Sequence, residues 1–222
     1  MMKHLSYILV LAIFGFSCSG EKANSNSETS EPKAQEKMML SEPACLYEYV
    51  NENTSVEWTA YKTNDKVPVG GKFDEMSVMS AQGANDPLSI LEGVKFEIPT
   101  SSTNTNLEER DTKIKTYFFG NMSASELISG RVVGLEGDEN SGRAVVEISM
   151  NGLSKEVEAK YTIDGQQVDL TTEFDVETWD GAAAIAALNE VCLDLHKGSD
   201  GVSKLWSTVS VKVSTSLAKQ CD

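Results

Sequence analysis

Histidine is nearly missing from this 222-residue chain: His4 and His196 are the only two. His4 falls in a leader-like N-terminus, so one histidine remains to serve a folded domain. That argues against a His-based metal site and against a nucleophile–histidine pair. Cysteine is scarce as well. Cys18, Cys45, Cys192 and Cys221 include no C-x-x-C pair, which leaves a zinc site or a thioredoxin-like centre unsupported. Positive charge is in deficit, with 19 Lys and Arg against 34 Asp and Glu and a formal net charge of -15. Residues 1–40 hold four Lys and four Glu, so the whole excess falls on residues 41–222. An acidic domain repels phosphate backbones and anionic headgroups, and nucleic acid is not expected as a partner. No Ser/His/Asp set, paired-carboxylate motif or metal box stands out, so an enzyme is not expected. Asp175, Glu177 and Asp180 form an acidic run without regular ligand spacing, which reads as a solvated face and not as a calcium site.

A long apolar run is also lacking. Leu5 to Phe16 gives twelve apolar-rich residues after Lys3 and His4, and a membrane-crossing helix needs about twenty. A basic start, a short apolar middle and small residues before a cut describe a secretory signal over residues 1–17. Gly15-Phe16-Ser17 before Cys18 resembles a bacterial lipobox, with Gly15 where Leu is usual. On that reading Cys18 is lipidated, and the product is exported to the periplasm or to the outer membrane or cell surface. Residues 18–42 are rich in Ser, Asn, Glu and Lys and hold no aromatic residue, the composition of a flexible tether. Residues 43–222 then form one domain, large enough for a well-buried core.

What the domain does have is alternation. Val146, Ile148 and Met150 share one face of a run; Val157, Ala159, Tyr161 and Ile163 share a face of the next; Val168, Leu170, Thr172, Phe174 and Val176 share a face of a third. Period two marks β-strands with one dry face. Asn151-Gly152 and Asp164-Gly165 separate the runs as tight turns. Further strands are expected at 56–60, 67–78, 94–98, 127–135 and 209–217, with Gly70-Gly71 marking a bend or a close backbone approach. Asn106 to Phe119 suits a short helix or irregular cap. After Asp180, a candidate cap, the stripe Ile185, Leu188, Cys192, Leu195 predicts a helix that stops at Gly198. The sum is a mainly β domain of about eight antiparallel strands, with one clear helix and a short helical cap. One-sided strands of this kind close into a barrel or stack as a sandwich.

Three segments resemble the YceI-like family: VEWTAYKTNDKVPVGGKFDEMSV, FEIPTSSTNTNLEERDTKIKTYFF and EISMNGLSKEVEAKYTI. The matching positions are Gly71 and Phe73, Thr100, Arg110 and Asp111, and Gly152 with Lys155. The span 182–206, with Cys192, His196, Gly201, Val202 and Trp206, looks like the variant of secreted or lipid-anchored members. The family's Tyr-Pro before the central strand is absent from 121–127. The resemblance implies a closed or nearly closed lipocalin-like barrel that holds a polyprenyl chain.

On that frame the inward side chains are Trp58, Phe73, Phe96, Phe118, Val146, Ile148, Val157, Tyr161, Leu170, Phe174, Val211 and Val213. They either fill the core or line a hydrophobic tunnel open at one end. Ala60, Ala144 and Ala159 leave room and favour the tunnel. Arg110 and Asp111 would fix a headgroup or form a structural pair. If the last strand pairs antiparallel with the first, Cys45 and Cys221 meet in a disulfide, leaving Cys192 as a buried thiol on its helix. The expected activity is non-catalytic binding of an apolar, chain-like lipid of isoprenoid or polyprenyl quinone type, with no other cofactor. The alternative is a filled barrel that recognises partners through acidic loops. The membrane, reached through the anchor, and a second copy of the chain are the other partners considered.

Overall fold

The computed structural model describes residues 44–79 and 82–221. The leader, most of the tether and Cys18 lie outside them. In chain order the first half comprises β1 (Cys45–Glu48), β2 (Thr54–Lys62), β3 (Val67–Phe73), β4 (Ser77–Val78), α1 (Pro87–Leu91), β5 (Lys95–Pro99), β6 (Thr103–Asn104) and α2 (Glu108–Lys113). A π-helical turn (Ile114–Phe118) and a 3-10 turn (Phe119–Asn121) extend α2. The second half comprises β7 (Leu127–Gly137), β8 (Ser141–Met150), β9 (Leu153–Asp164), β10 (Gln167–Asp175), a 3-10 turn (Val176–Trp179), α3 (Ala182–Val191), β11 (Leu205–Ser216) and β12 (Ala218–Cys221).

Ten strands form one antiparallel sheet in the order β4-β5-β7-β8-β9-β10-β11-β2-β3-β6, and β1 pairs with β12 separately. The two ends of that order meet. β4 follows β3 after Asp74 to Met76, and β6 follows β5 after Thr100 to Ser102. β3 pairs with β6 at Phe73↔Thr103, and β4 pairs with β5 at Ser77↔Glu97. Between these ladders the Asp74 N–H donates to the Ser102 carbonyl at 3.0 Å. β3–β4 and β5–β6 are therefore two interrupted ribbons lying side by side. The sheet curls into a barrel-like wall of eight ribbons, which is how about eight expected strands correspond to ten.

The turns follow from backbone sterics. Asn151 and Gly152 both have positive φ (51° and 72°), as a two-residue type I′ hairpin requires. The β9–β10 turn is Gly165-Gln166, one residue later than the expected Asp164-Gly165, because Asp164 pairs with Gln167 and only Gly165 takes positive φ. α1 packs beside β1, while α2 and α3 gather at one end. Lys62 ends β2 there, and the Thr63 N–H donates to the Lys204 carbonyl while Trp206 Nε1 donates to that of Thr63. Trp179, fully buried, ties this end down: its Nε1 donates to the Ile148 carbonyl at 3.0 Å and its ring meets Phe174 edge-on at 5.2 Å.

Two helix expectations need correction. Asp180 does not cap α3. It takes a left-handed conformation (φ 54°) that ends the preceding 3-10 turn, and Gly181 occupies the cap position with no side-chain bond. The helix stops at Val191, not near Gly198. Beyond it the chain turns so that Cys192 and His196 are buried while Leu195 is 60% exposed. Lys62 Nζ holds the Leu195 carbonyl at 2.9 Å and the His196 N–H donates to that of Cys192. The second of these is an isolated helical turn; the Lys62 bond, with the His196 carbonyl accepting from the Lys204 N–H and the Gly198 N–H donating to the Val202 carbonyl, leads the chain off the helix axis in a way an apolar stripe alone does not reveal.

β1 and β12 form a ribbon in which Cys45 faces Cys221, and the two are joined by a disulfide. Cys192 is a free, buried thiol.

Candidate functional site

Inward-facing side chains of the barrel enclose a cavity of about 560 Å³. Trp58 and Val211 come from the adjacent strands β2 and β11, Ile148, Val157 and Leu170 from the consecutive neighbours β8, β9 and β10, and Phe96 from β5. Phe73, Phe118, Val146, Phe174 and Val213 complete the expected wall. Ala60 and Ala159 also line it, whereas Ala144 is fully buried away from it.

Large aromatic residues line this space without filling it, and cross-strand glycines explain why. Trp58 pairs with Gly71, and a Cβ at 71 would run into the indole. Phe96 pairs with Gly130, and a Cβ there would strike the Phe96 ring. Each ring lies over the glycine of the neighbouring strand, an arrangement known to stabilise sheet glycines. The wall stays thin where an aromatic crosses it. Trp58 Nε1 is buried in this position with no hydrogen-bond partner.

Tyr161 obeys the same rule and so departs from expectation. It pairs with Gly142, is 1% exposed, and donates from its hydroxyl to the Asp138 carbonyl at 2.8 Å. Its ring is therefore folded against the turn between β7 and β8 and does not line the cavity. Burial, aided by Asp138, pushes its phenol pKa up.

Apart from Thr172 in mid-wall, whose hydroxyl donates to the Glu158 carbonyl at 2.7 Å, the polar side chains of the cavity sit at its two ends. At one, Thr54 Oγ1 donates to the Tyr49 hydroxyl at 2.7 Å and lies 2.8 Å from Thr215 Oγ1. Burial raises the Tyr49 pKa. At the helical end the lining includes Lys62, Leu107, Glu108, Glu109, Arg110, Lys113, Leu195, His196 and Trp206. This is the mouth, where exposed Leu107 and Leu195 meet the apolar interior. Arg110 and Asp111 do not pair. Arg110 lines the mouth, while Asp111 Oδ1 accepts bonds from the Thr105 N–H at 2.8 Å and hydroxyl at 2.6 Å, which holds the segment before α2. His196 Nδ1 lies 2.8 Å from Asn189 Oδ1. Burial, reinforced by Lys62, lowers its pKa to about 4, so it is neutral near pH 7. Among the described residues no group of three or more His, Cys, Asp or Glu is placed to hold a metal.

Several mouth and end residues were legible by parity alone. Thr54 and Lys62 continue the face of Val56, Trp58 and Ala60, and Thr215 continues that of Val211 and Val213. Ile185 and Leu188, read only as a helix stripe, also line the cavity. Lys113 carries no such signal, because it sits on α2 where strand alternation does not apply.

Comparison with solved structures finds the same architecture at low identity. A polyisoprenoid-binding domain from Saccharophagus degradans, implicated in plant cell wall breakdown, superposes with a TM-score of 0.55 and 14% identity, covering 82% of this chain and 100% of that one. BcnA from Burkholderia cenocepacia gives a TM-score of 0.50 and 13% identity, covering 77% of this chain and 99% of that one. No curated protein matches the chain in sequence. The model of the YceI-like domain matches residues 47–217, from β1 to the end of β11, and with the curled antiparallel sheet and its apolar cavity this places the chain in the YceI-like family.

Proposed function

We propose that the domain binds an apolar, chain-like lipid of isoprenoid or polyprenyl quinone type inside its barrel, and carries, stores or shields it without transforming it. The observation that supports this is the cavity of about 560 Å³, built from the inward faces of the strands and charged only at its mouth. That volume falls within the roughly 300–1,000 Å³ typical of small-molecule sites. Each methylene moved from water into such a space contributes ~0.8 kcal/mol, so even a short prenyl tail supplies enough to offset its lost freedom. A barrel packed solid, the premise of the rival reading, would have no such space. The polyisoprenoid-binding domain from Saccharophagus degradans lends the ligand class.

Export on a lipid anchor at Cys18 belongs to the same reading. Its supports are the short basic and apolar leader in the sequence and the Cys45–Cys221 disulfide, a bond at home in an oxidising compartment. Organic extraction of the purified protein, followed by uptake of a fluorescent prenyl probe into the stripped protein, tests the binding claim. A co-purifying prenyl lipid, or saturable uptake at one site per chain, is expected. A lipid-free extract together with no uptake would refute it.

A further inference from the structure

The two polar ends of the cavity differ in kind. Hydroxyls at the Tyr49 end already bond to one another. The mouth carries charge. Lys62, Arg110 and Lys113 line it, and all three are half-buried in a protein whose acids outnumber its cations 34 to 19. Taking a cation partly out of water is costly unless a counter-charge meets it. Lys113 has one, Glu109 at 2.7 Å, although that carboxylate is largely exposed. Among the described residues Lys62 Nζ meets no carboxylate and bonds to the Leu195 carbonyl. Arg110 forms no ion pair among the described residues. His196, neutral near pH 7, adds no charge, and the nearby acids Glu108 and Glu109 are both exposed. The three cations share one rim: all of them line the mouth of the same cavity, together with Glu108 and Glu109.

We propose that this mouth is an anion subsite, where a phosphate or carboxylate headgroup rests on Arg110, Lys62 and Lys113 while its hydrocarbon tail occupies the cavity. The proposal rests on the reading of the cavity as a lipid tunnel and narrows it. The planar Arg110 guanidinium presents two parallel donors to two oxygens of one headgroup, and the lysines act as point charges beside it. A neutral alcohol or quinone would leave Arg110 half-buried without a counter-charge. The same cations would attract free phosphate, but only a tethered anion also gains the burial of a tail.

Calorimetric titration of the full, delipidated chain with geranylgeranyl monophosphate, geranylgeraniol and inorganic phosphate separates these cases. The monophosphate should bind about tenfold more tightly than the alcohol, as one charge-assisted contact of ordinary strength allows. Inorganic phosphate at millimolar concentration should not displace it. In the Lys62→Gln/Arg110→Gln double variant the two prenyl ligands should bind within about twofold of each other. Arg110→Gln alone serves if the double variant fails to fold, because the Arg110 side chain forms no ion pair among the described residues. Equal affinities in the parent protein would overturn the anion subsite and leave the tunnel standing. Displacement by inorganic phosphate would overturn the headgroup assignment. Failure of both prenyl ligands to bind would overturn the tunnel reading too.

Discussion

At the scale of single residues, the wall is set by aromatic rings laid over cross-strand glycines. Trp58 over Gly71 is the clearest pair. Gly71→Ala should force the indole off the wall and into the lumen. Overpacking of this kind costs about 1–3 kcal/mol, so we expect a lowered urea midpoint and weakened prenyl uptake together. Gly134→Ala is the matched control, since a Cβ there meets only ordinary contacts with Val145 at 3.9 Å; its effect should stay within about 1 kcal/mol. Equal effects from both would contradict the packing argument. His196 supplies a second test. Its pKa falls from 6.5 in the unfolded chain to about 4 when folded, because burial and then Lys62 disfavour the cation. Between those values the unfolded chain binds the extra proton, so stability is retained above pH 6.5 and lost as pH falls toward 4. The ceiling is about 3 kcal/mol. Between pH 7.5 and 4.5 the parent protein should therefore lose more stability than His196→Gln, by about 1–3 kcal/mol in urea unfolding; parallel losses would rule this out. The Gly70-Gly71 close approach was legible from the sequence. Its partner was not, nor were Gly130 and Gly142, because which ring covers which glycine depends on strand register.

At the scale of elements, alternation located every long ribbon, and the turn residues marked the hairpins. Less was visible where an element is interrupted. Three residues divide β3 from β4 and three divide β5 from β6: the strand expected at 67–78 runs straight across the first break, and β6 has too few alternating residues to read as a strand. α3 shows the opposite error: its apolar stripe continues in sequence after the backbone has left the helix, since Lys62 Nζ donates to the Leu195 carbonyl and the Lys204 N–H to that of His196. The β1–β12 ribbon is short, and its disulfide spans 176 residues of chain. In the chain-entropy account so long a loop contributes roughly 5 kcal/mol by restricting the unfolded state. Cys45→Ser/Cys221→Ser should lower the thermal midpoint by about 10–20 °C while leaving prenyl binding at the folded temperature intact, because neither cysteine lines the cavity. A thermal midpoint unchanged from the parent would show that the ribbon contributes little.

At the scale of the whole molecule, the chain is acidic outside and apolar inside, and it opens at the end where α2 and α3 gather. Period two revealed the dry faces; only the fold showed that those faces enclose a space. The small side chains Ala60 and Ala159 keep that space open, and they offer the means to close it without touching the outer surface. Native mass spectrometry of freshly purified protein, beside an Ala60→Trp/Ala159→Trp variant, tests the central claim most directly. The parent protein should carry the added mass of one chain lipid, released on activation, and the variant should fly bare while still giving a folded charge distribution. A bare parent that also takes up no added prenyl lipid, or a variant that retains the same adduct, would contradict a lipid held within the barrel.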